Sequence, residues 1–175
     1  MNTRSFHVVA RRAIAGLFVC MIAGPCVVAA QGKASDLKQQ MVGGWTLVNV
    51  VLEQGGNKTE PFGPNPKGFS SYDSAGNFAN VLFRADLPKV ASNNRMAPSA
   101  EESKALASGI LVTYGKYSVN DDGTVTLKID SSSFPNWNGA EQKRVITVTG
   151  DEMRVTNPTP PSGGGTAYVV WKRVK

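Results

Sequence analysis

Beyond residue 40, apolar and polar residues alternate with a period of two through most of the chain, the pattern of half-buried strands. The stretches Thr124 to Asp130 and Arg144 to Thr149 hold this alternation almost without a break. Gly43 to Leu52 has the β-branched and aromatic content of a first strand, and Gln54 to Lys58 reads as the turn that ends it. Between Glu60 and Gly68, three prolines and two glycines exclude a regular helix and predict a rigid connection to the next strand. Gly68 to Tyr72 and Phe78 to Arg84 flank Asp73 to Asn77, a turn rich in Asp, Ser and Gly, and so predict a hairpin. Phe69, Phe78 and Phe83 cannot all share one face of it on a period of two, which leaves their register open. Further strands are predicted at Ile110 to Val119, Lys143 to Thr149, Glu152 to Asn157 and Thr166 to Val174.

One segment breaks the pattern. From Pro98 to Gly109, Ser99 is placed to cap a helix, Glu102 follows three residues later as its capping-box partner, and Gly109 ends it. The expectation is a short helix covering or bordering something in an otherwise all-β chain. About eight short antiparallel strands in a meander avoid exposed edges most simply by closing into a barrel. A barrel of that size is just wide enough for a core of side chains or one small ligand.

Residues 1–30 carry a different signal. Arg4, Arg11 and Arg12 precede a mostly apolar run from Ala13 to Val28, and Val28-Ala29-Ala30 offers a small-residue exit, which together read as a cleaved export signal. Gly24 and Pro25 interrupt a run already short for a bilayer, so no stable membrane span is expected after cleavage. Residues 31–40 then form a polar lead-in to a barrel domain over 41–175, in a periplasmic or secreted product. Cleavage removes Cys20, Cys26 and His7, leaving a mature chain with no cysteine and no histidine. That chain has no disulfide, thiolate nucleophile or imidazole base, and no histidine ligand for a metal. It keeps 16 Lys or Arg against 13 Asp or Glu, a net charge of +3. The cations are dispersed, so nucleic acid is not an expected partner.

Conventional catalytic and cofactor motifs are missing. Gly163 to Gly165 lacks the Lys-Ser or Lys-Thr pair of a phosphate loop, and Asp121-Asp122-Gly123 lacks the spaced ligands of a calcium loop. No catalytic residue, metal or cofactor is therefore assigned. The carboxylates Asp130 and Glu141 bracket the segment Phe134-Pro135-Asn136-Trp137, where two large rings flank a Pro-Asn turn. This aromatic corner fits packing or ligand contact. Phe78, Tyr114, Tyr117, Phe134 and Trp137 are the candidate ligand-binding residues, and Asn80, Thr113, Lys116, Lys128 and Arg144 are candidate polar contacts in a cavity.

The opening Gly43-Gly44-Trp45 resembles the Gly-x-Trp start of lipocalin-type barrels, and Trp171-Lys172-Arg173 resembles their ending. With Pro61 to Gly68, Pro98 to Glu102, Thr113 to Tyr117 and Phe134 to Trp137 in that order, Met41 to Val174 is similar to the bacterial and fungal lipocalin-like domain family. That resemblance implies a closed antiparallel barrel with Trp45 near its base, Arg173 stacked over it in a structural role, and a small apolar or amphipathic ligand. The chain departs from extracellular lipocalins in lacking a disulfide in its mature part and an evident Thr-Asp-Tyr-like motif. Three functions remain in play: an exported binding protein for a small hydrophobic or amphipathic molecule, a cyclase or isomerase acting on a hydrophobic intermediate, and a filled barrel serving as a structural or interaction module.

Overall fold

In the computed structural model, the backbone is described for residues 26–175 and the side chains from residue 33 onward. The expected export signal, residues 1–30, lies outside the described residues except for the backbone of its last five. Those five open the helix α1 (Cys26–Met41), which takes in the segment read from sequence only as a polar lead-in. Leu37 and Met41 are its apolar anchors, and among the residues that follow the signal they are too few to announce a helical stripe.

Strand β1 (Gly43–Gln54) buries Trp45, Leu47, Val50 and Leu52, a change of phase explained by a bulge between Leu47 and Asn49 that leaves Val48 unpaired and exposed. β2 (Asn57–Thr59) is a short exposed ribbon folded back on the end of β1, where the sequence predicts only a turn. The meander continues through β3 (Lys67–Tyr72), β4 (Asn77–Phe83), β5 (Ile110–Val119), β6 (Thr124–Ser132), β7 (Glu141–Thr149), β8 (Glu152–Asn157) and β9 (Thr166–Arg173). Every neighbour is antiparallel, and β9 returns to pair with β1 from Trp45 opposite Arg173 to Glu53 opposite Thr166. Eight strands thus close a barrel, with β2 outside the ring.

The β3–β4 hairpin settles the three phenylalanines. Tyr72 pairs with Phe78 and both point inward, whereas Phe69 pairs with Val81 on the outer face and Phe83 pairs with Lys67. Asp73 fixes the turn by accepting from the Asn77 backbone N–H at 2.8 Å and its side-chain amide at 2.5 Å. These two bonds, the side-chain one foremost, hold its carboxyl below the usual aspartate range.

Helix α2 (Ala100–Gly109) carries the predicted capping box: Ser99 Oγ accepts from Glu102 N at 3.2 Å, and Glu102 Oε2 accepts from Ser99 N at 2.7 Å. The other Glu102 oxygen accepts from Ala91 N at 2.8 Å, tying down the β4–α2 connection. The helix runs directly into β5, so its last turn stands beside the barrel rim.

The two ends of the barrel differ. At one end α1 lies across it: Leu37 packs on the core, Met41 is fully buried, and the Lys38 ammonium sits 5.9 Å from the Tyr117 ring. At the other, the proline-rich β2–β3 connection, the end of α2, the β6–β7 corner and the β8–β9 loop surround an opening. Apolar side chains from every barrel strand fill the space nearer α1, among them Tyr72, Phe78, Tyr117, Val125, Ile146, Met153 and Trp171.

Candidate functional site

Two neighbouring spaces lie at the end away from α1. A groove of about 420 Å³ is walled by Pro61, Phe62, Leu111, Phe134 and Pro161, with Ala107 and Ser108 of α2 and Arg84 at its border. Beneath it the barrel interior holds a second space of about 70 Å³, lined by Leu111, Leu127, Ile129, Trp137, Trp171 and a set of polar side chains. Leu111 borders both spaces. The corner completes the partition: Pro135–Trp137 form a single 3-10 turn, and the Phe134 and Trp137 rings meet edge to face at 5.8 Å, Phe134 toward the groove and Trp137 toward the interior.

The sheet places polar groups in the inner space by alternation. On β7, Gln142, Arg144 and Ile146 face inward while Glu141, Lys143 and Val145 face out. Thr113 of β5, Asn80 of β4 and Asn157 of β8 border the same space. Ser70 Oγ donates to Asn80 Oδ1 at 2.5 Å, and Asn157 Oδ1 accepts from Thr159 N at 3.0 Å, so these amides are partly committed to the frame. The Arg144 guanidinium donates to the Lys143 carbonyl at 2.8 Å and to Gln142 Oε1, and its Cζ lies 6.0 Å from the Trp137 ring. Burial lowers its pKa to about 10, against a smaller opposing effect of Tyr72, and it remains cationic at neutral pH. The Tyr72 phenol is pushed above its ordinary value by burial, offset in part by Ser70 and Asn80.

The candidates proposed from sequence separate into three groups. Phe134 and Trp137 are half-buried and line the open spaces. Phe78 and Tyr117 point inward but pack deeper, around Tyr72: the Tyr72 ring stacks on Phe78 at 6.2 Å and meets Tyr117 edge-on at 5.2 Å, and Tyr117 Oη donates to Asp73 O at 2.7 Å. Neither borders the groove or the inner space, so their role is core packing. Tyr114 points out of the barrel with 52% of its surface exposed, which corrects its assignment to the ligand wall. Of the polar candidates, Asn80, Thr113 and Arg144 line the inner space, while Lys116 and Lys128 are on the outer surface with Asp130 and Glu141. Gln142, Asn157 and Leu111 were not singled out from sequence, since alternation shows which residues share a face without showing which face is inward.

At the closed end the Arg173 Cζ lies 4.1 Å from the centroid of the fully buried Trp45 ring. Its guanidinium also donates to Val42 O at 3.0 Å and Gln40 O at 2.6 Å, while Trp45 Nε1 donates to Met41 O at 2.9 Å. One stacked pair therefore serves the last two carbonyls of α1, which the helix itself leaves without partners, and that of Val42 just beyond it. This is the closure that the Gly-x-Trp start and the basic ending imply, and residues 42–174 match the lipocalin-like domain. The chain belongs to the lipocalin-like domain family. None of the curated proteins compared matches it. The lipocalin-like match takes in all nine strands and both sides of the Trp45–Arg173 stack, while α1 ends one residue before it begins. Among the described residues of this lipocalin-like chain, no three His, Cys, Asp or Glu side chains converge as a metal site, and no helix is long and apolar enough to cross a membrane.

Proposed function

We propose that this lipocalin-like protein is exported and binds a small hydrophobic or amphipathic molecule at the open end of its barrel. The observation that carries the reading is the groove of about 420 Å³ with its aromatic and proline walls, which shares Leu111 with the polar inner space beneath it. Ligand sites run from roughly 300 to 1,000 Å³, so the groove alone is large enough while the inner space of about 70 Å³ is not. The filled lower barrel moves the ligand toward the rim and leaves the core to hold the rim residues in place. Asp130 and Glu141 face outward, away from the groove and the inner space, so no paired acid and base supports a catalytic role for this site.

A neutral apolar fluorophore such as N-phenyl-1-naphthylamine tests the binding reading. Saturable binding at one site is expected, and Phe134→Ala should weaken it about tenfold, or ~1.4 kcal/mol, by removing one aromatic wall. Tyr114→Ala on the outer face should leave it unchanged. Equal losses in the two variants, or no saturable binding to the wild type, would sink the assignment.

Export rests on the basic start, apolar run and small-residue exit of residues 1–30. Cleavage after Ala30 leaves Leu37, Lys38, Gln40 and Met41 attached, so the groups that dock α1 at the closed end survive processing. N-terminal sequencing of the product recovered outside the cytoplasm should read from Gln31. Recovery of the intact chain solely from the cytoplasmic fraction would refute it.

A further inference from the structure

Arg144 is an anomaly in a barrel otherwise packed by apolar and neutral side chains. It is 5% exposed, and neither of its two hydrogen bonds reaches an anion. All thirteen acidic residues lie at position 36 or later, within the described side chains, and the four ion pairs among the described residues leave Arg144 out. A buried ion without a counter-charge is costly, by several kcal/mol even after relaxation, and a guanidinium cannot escape the cost by losing its proton near neutral pH. The surroundings are otherwise suited to a charged guest: Thr113, Gln142 and Asn157 border the same space, and the Trp137 ring forms its upper wall.

We infer that the ligand carries a carboxylate, which enters the barrel first and pairs with Arg144 while the apolar body stays in the groove above. This rests on the binding reading and names the chemical class of the molecule bound. Size decides the orientation: about 70 Å³ holds a few waters or a head group of three or four heavy atoms, and the larger, apolar-walled space lies outside it. Charge decides the head group. One guanidinium balances one negative charge and matches a carboxylate with two parallel N–H···O bonds, whereas a phosphate monoester would bring a second charge with no second cation on the cavity wall. Leu111 lies where the ligand passes from groove to interior, and the Phe134–Trp137 pair flanks it.

Decanoate and decan-1-ol share an apolar body and differ in the head group. Both are to be titrated into the purified full chain at about pH 8, where the carboxylate is ionised, by displacement of N-phenyl-1-naphthylamine. The wild type should bind decanoate at least tenfold more tightly than decan-1-ol. Arg144→Met should abolish that preference, and Arg144→Lys, which keeps the charge without the fork, should retain part of it. An alcohol bound as tightly as the acid by the wild type would overturn the inference and leave the binding reading standing. Failure of both to displace the fluorophore would overturn it too; failure of the fluorophore itself to bind would bring down the binding reading as well. If Arg144→Met does not fold, the wild-type comparison and Arg144→Lys decide the matter.

Discussion

Trp45→Ala is expected to lower the free energy of unfolding by about 3–5 kcal/mol, the largest effect of any single truncation in this chain. The indole is fully buried, its N–H donates to the last carbonyl of α1, and its ring lies under the Arg173 guanidinium at 4.1 Å. Removing it opens a cavity between the helix and the barrel, strands the Met41 carbonyl, and takes away the surface on which Arg173 rests. Domains of this size hold only about 5–15 kcal/mol in total, so the variant should unfold at far lower urea concentration. Arg173→Met, which keeps a long apolar stem and loses the charge, should cost about 1–2 kcal/mol through the lost stack and the unserved Gln40 and Val42 carbonyls. A Trp45→Ala loss below about 1 kcal/mol in urea unfolding would show that the closed end is not what holds the fold together.

Gly115→Ala should be the next most damaging change, at about 1–3 kcal/mol or more, and it should also disturb the ligand site. Between Tyr114 and Gly115 the β5–β6 pairing slips, leaving Asp130 as the extra residue on β6. A Cβ on Gly115 would stand 2.1 Å from the Lys128 carbonyl oxygen and 2.8 Å from the Asp130 nitrogen, both backbone atoms without a rotamer to move. The chain past this bulge builds the aromatic corner: Ile129 exchanges backbone bonds with Ala140 and Gly139, and Ser132 N donates to Asn138 Oδ1 at 2.8 Å. Pushing β6 away therefore displaces Phe134 from the groove and Trp137 from the inner space. The variant should show lower thermal stability and weaker fluorophore binding together; wild-type values for both would mean that the bulge is slack and does not position the corner.

The fold was more legible than the site. Eight runs of period-two alternation correspond to the eight barrel strands because each strand buries one face and exposes the other. The α2 cap was readable because Ser99 and Glu102 interact locally, through bonds that depend on no distant residue. Helix α1 was not readable as such, since Leu37 and Met41 become anchors only once the barrel end is there to receive them. Tyr114 and Tyr117 illustrate what alternation could have decided: three residues apart on an uninterrupted strand, they lie on opposite faces, and both cannot line one cavity. Arg144 illustrates what it could not decide. Its strand has Ile146 and Val148 on one face and Val145 and Thr147 on the other, so the inward face is fixed by the neighbours β6 and β8 and not by β7 alone.

In the proposed binding mode the ligand occupies the open end, with its charged head beneath Leu111 and its apolar body against Phe134. Heteronuclear NMR of the isotopically labelled protein during titration with decanoate tests it most directly. Saturable shifts are predicted at Phe62, Leu111, Phe134, the Trp137 indole N–H and the Arg144 guanidinium, with Phe78, Tyr117 and the closed-end Trp45 indole unmoved. Shifts clustered on the outer face around Tyr114, with Arg144 and Trp137 unchanged, would contradict it.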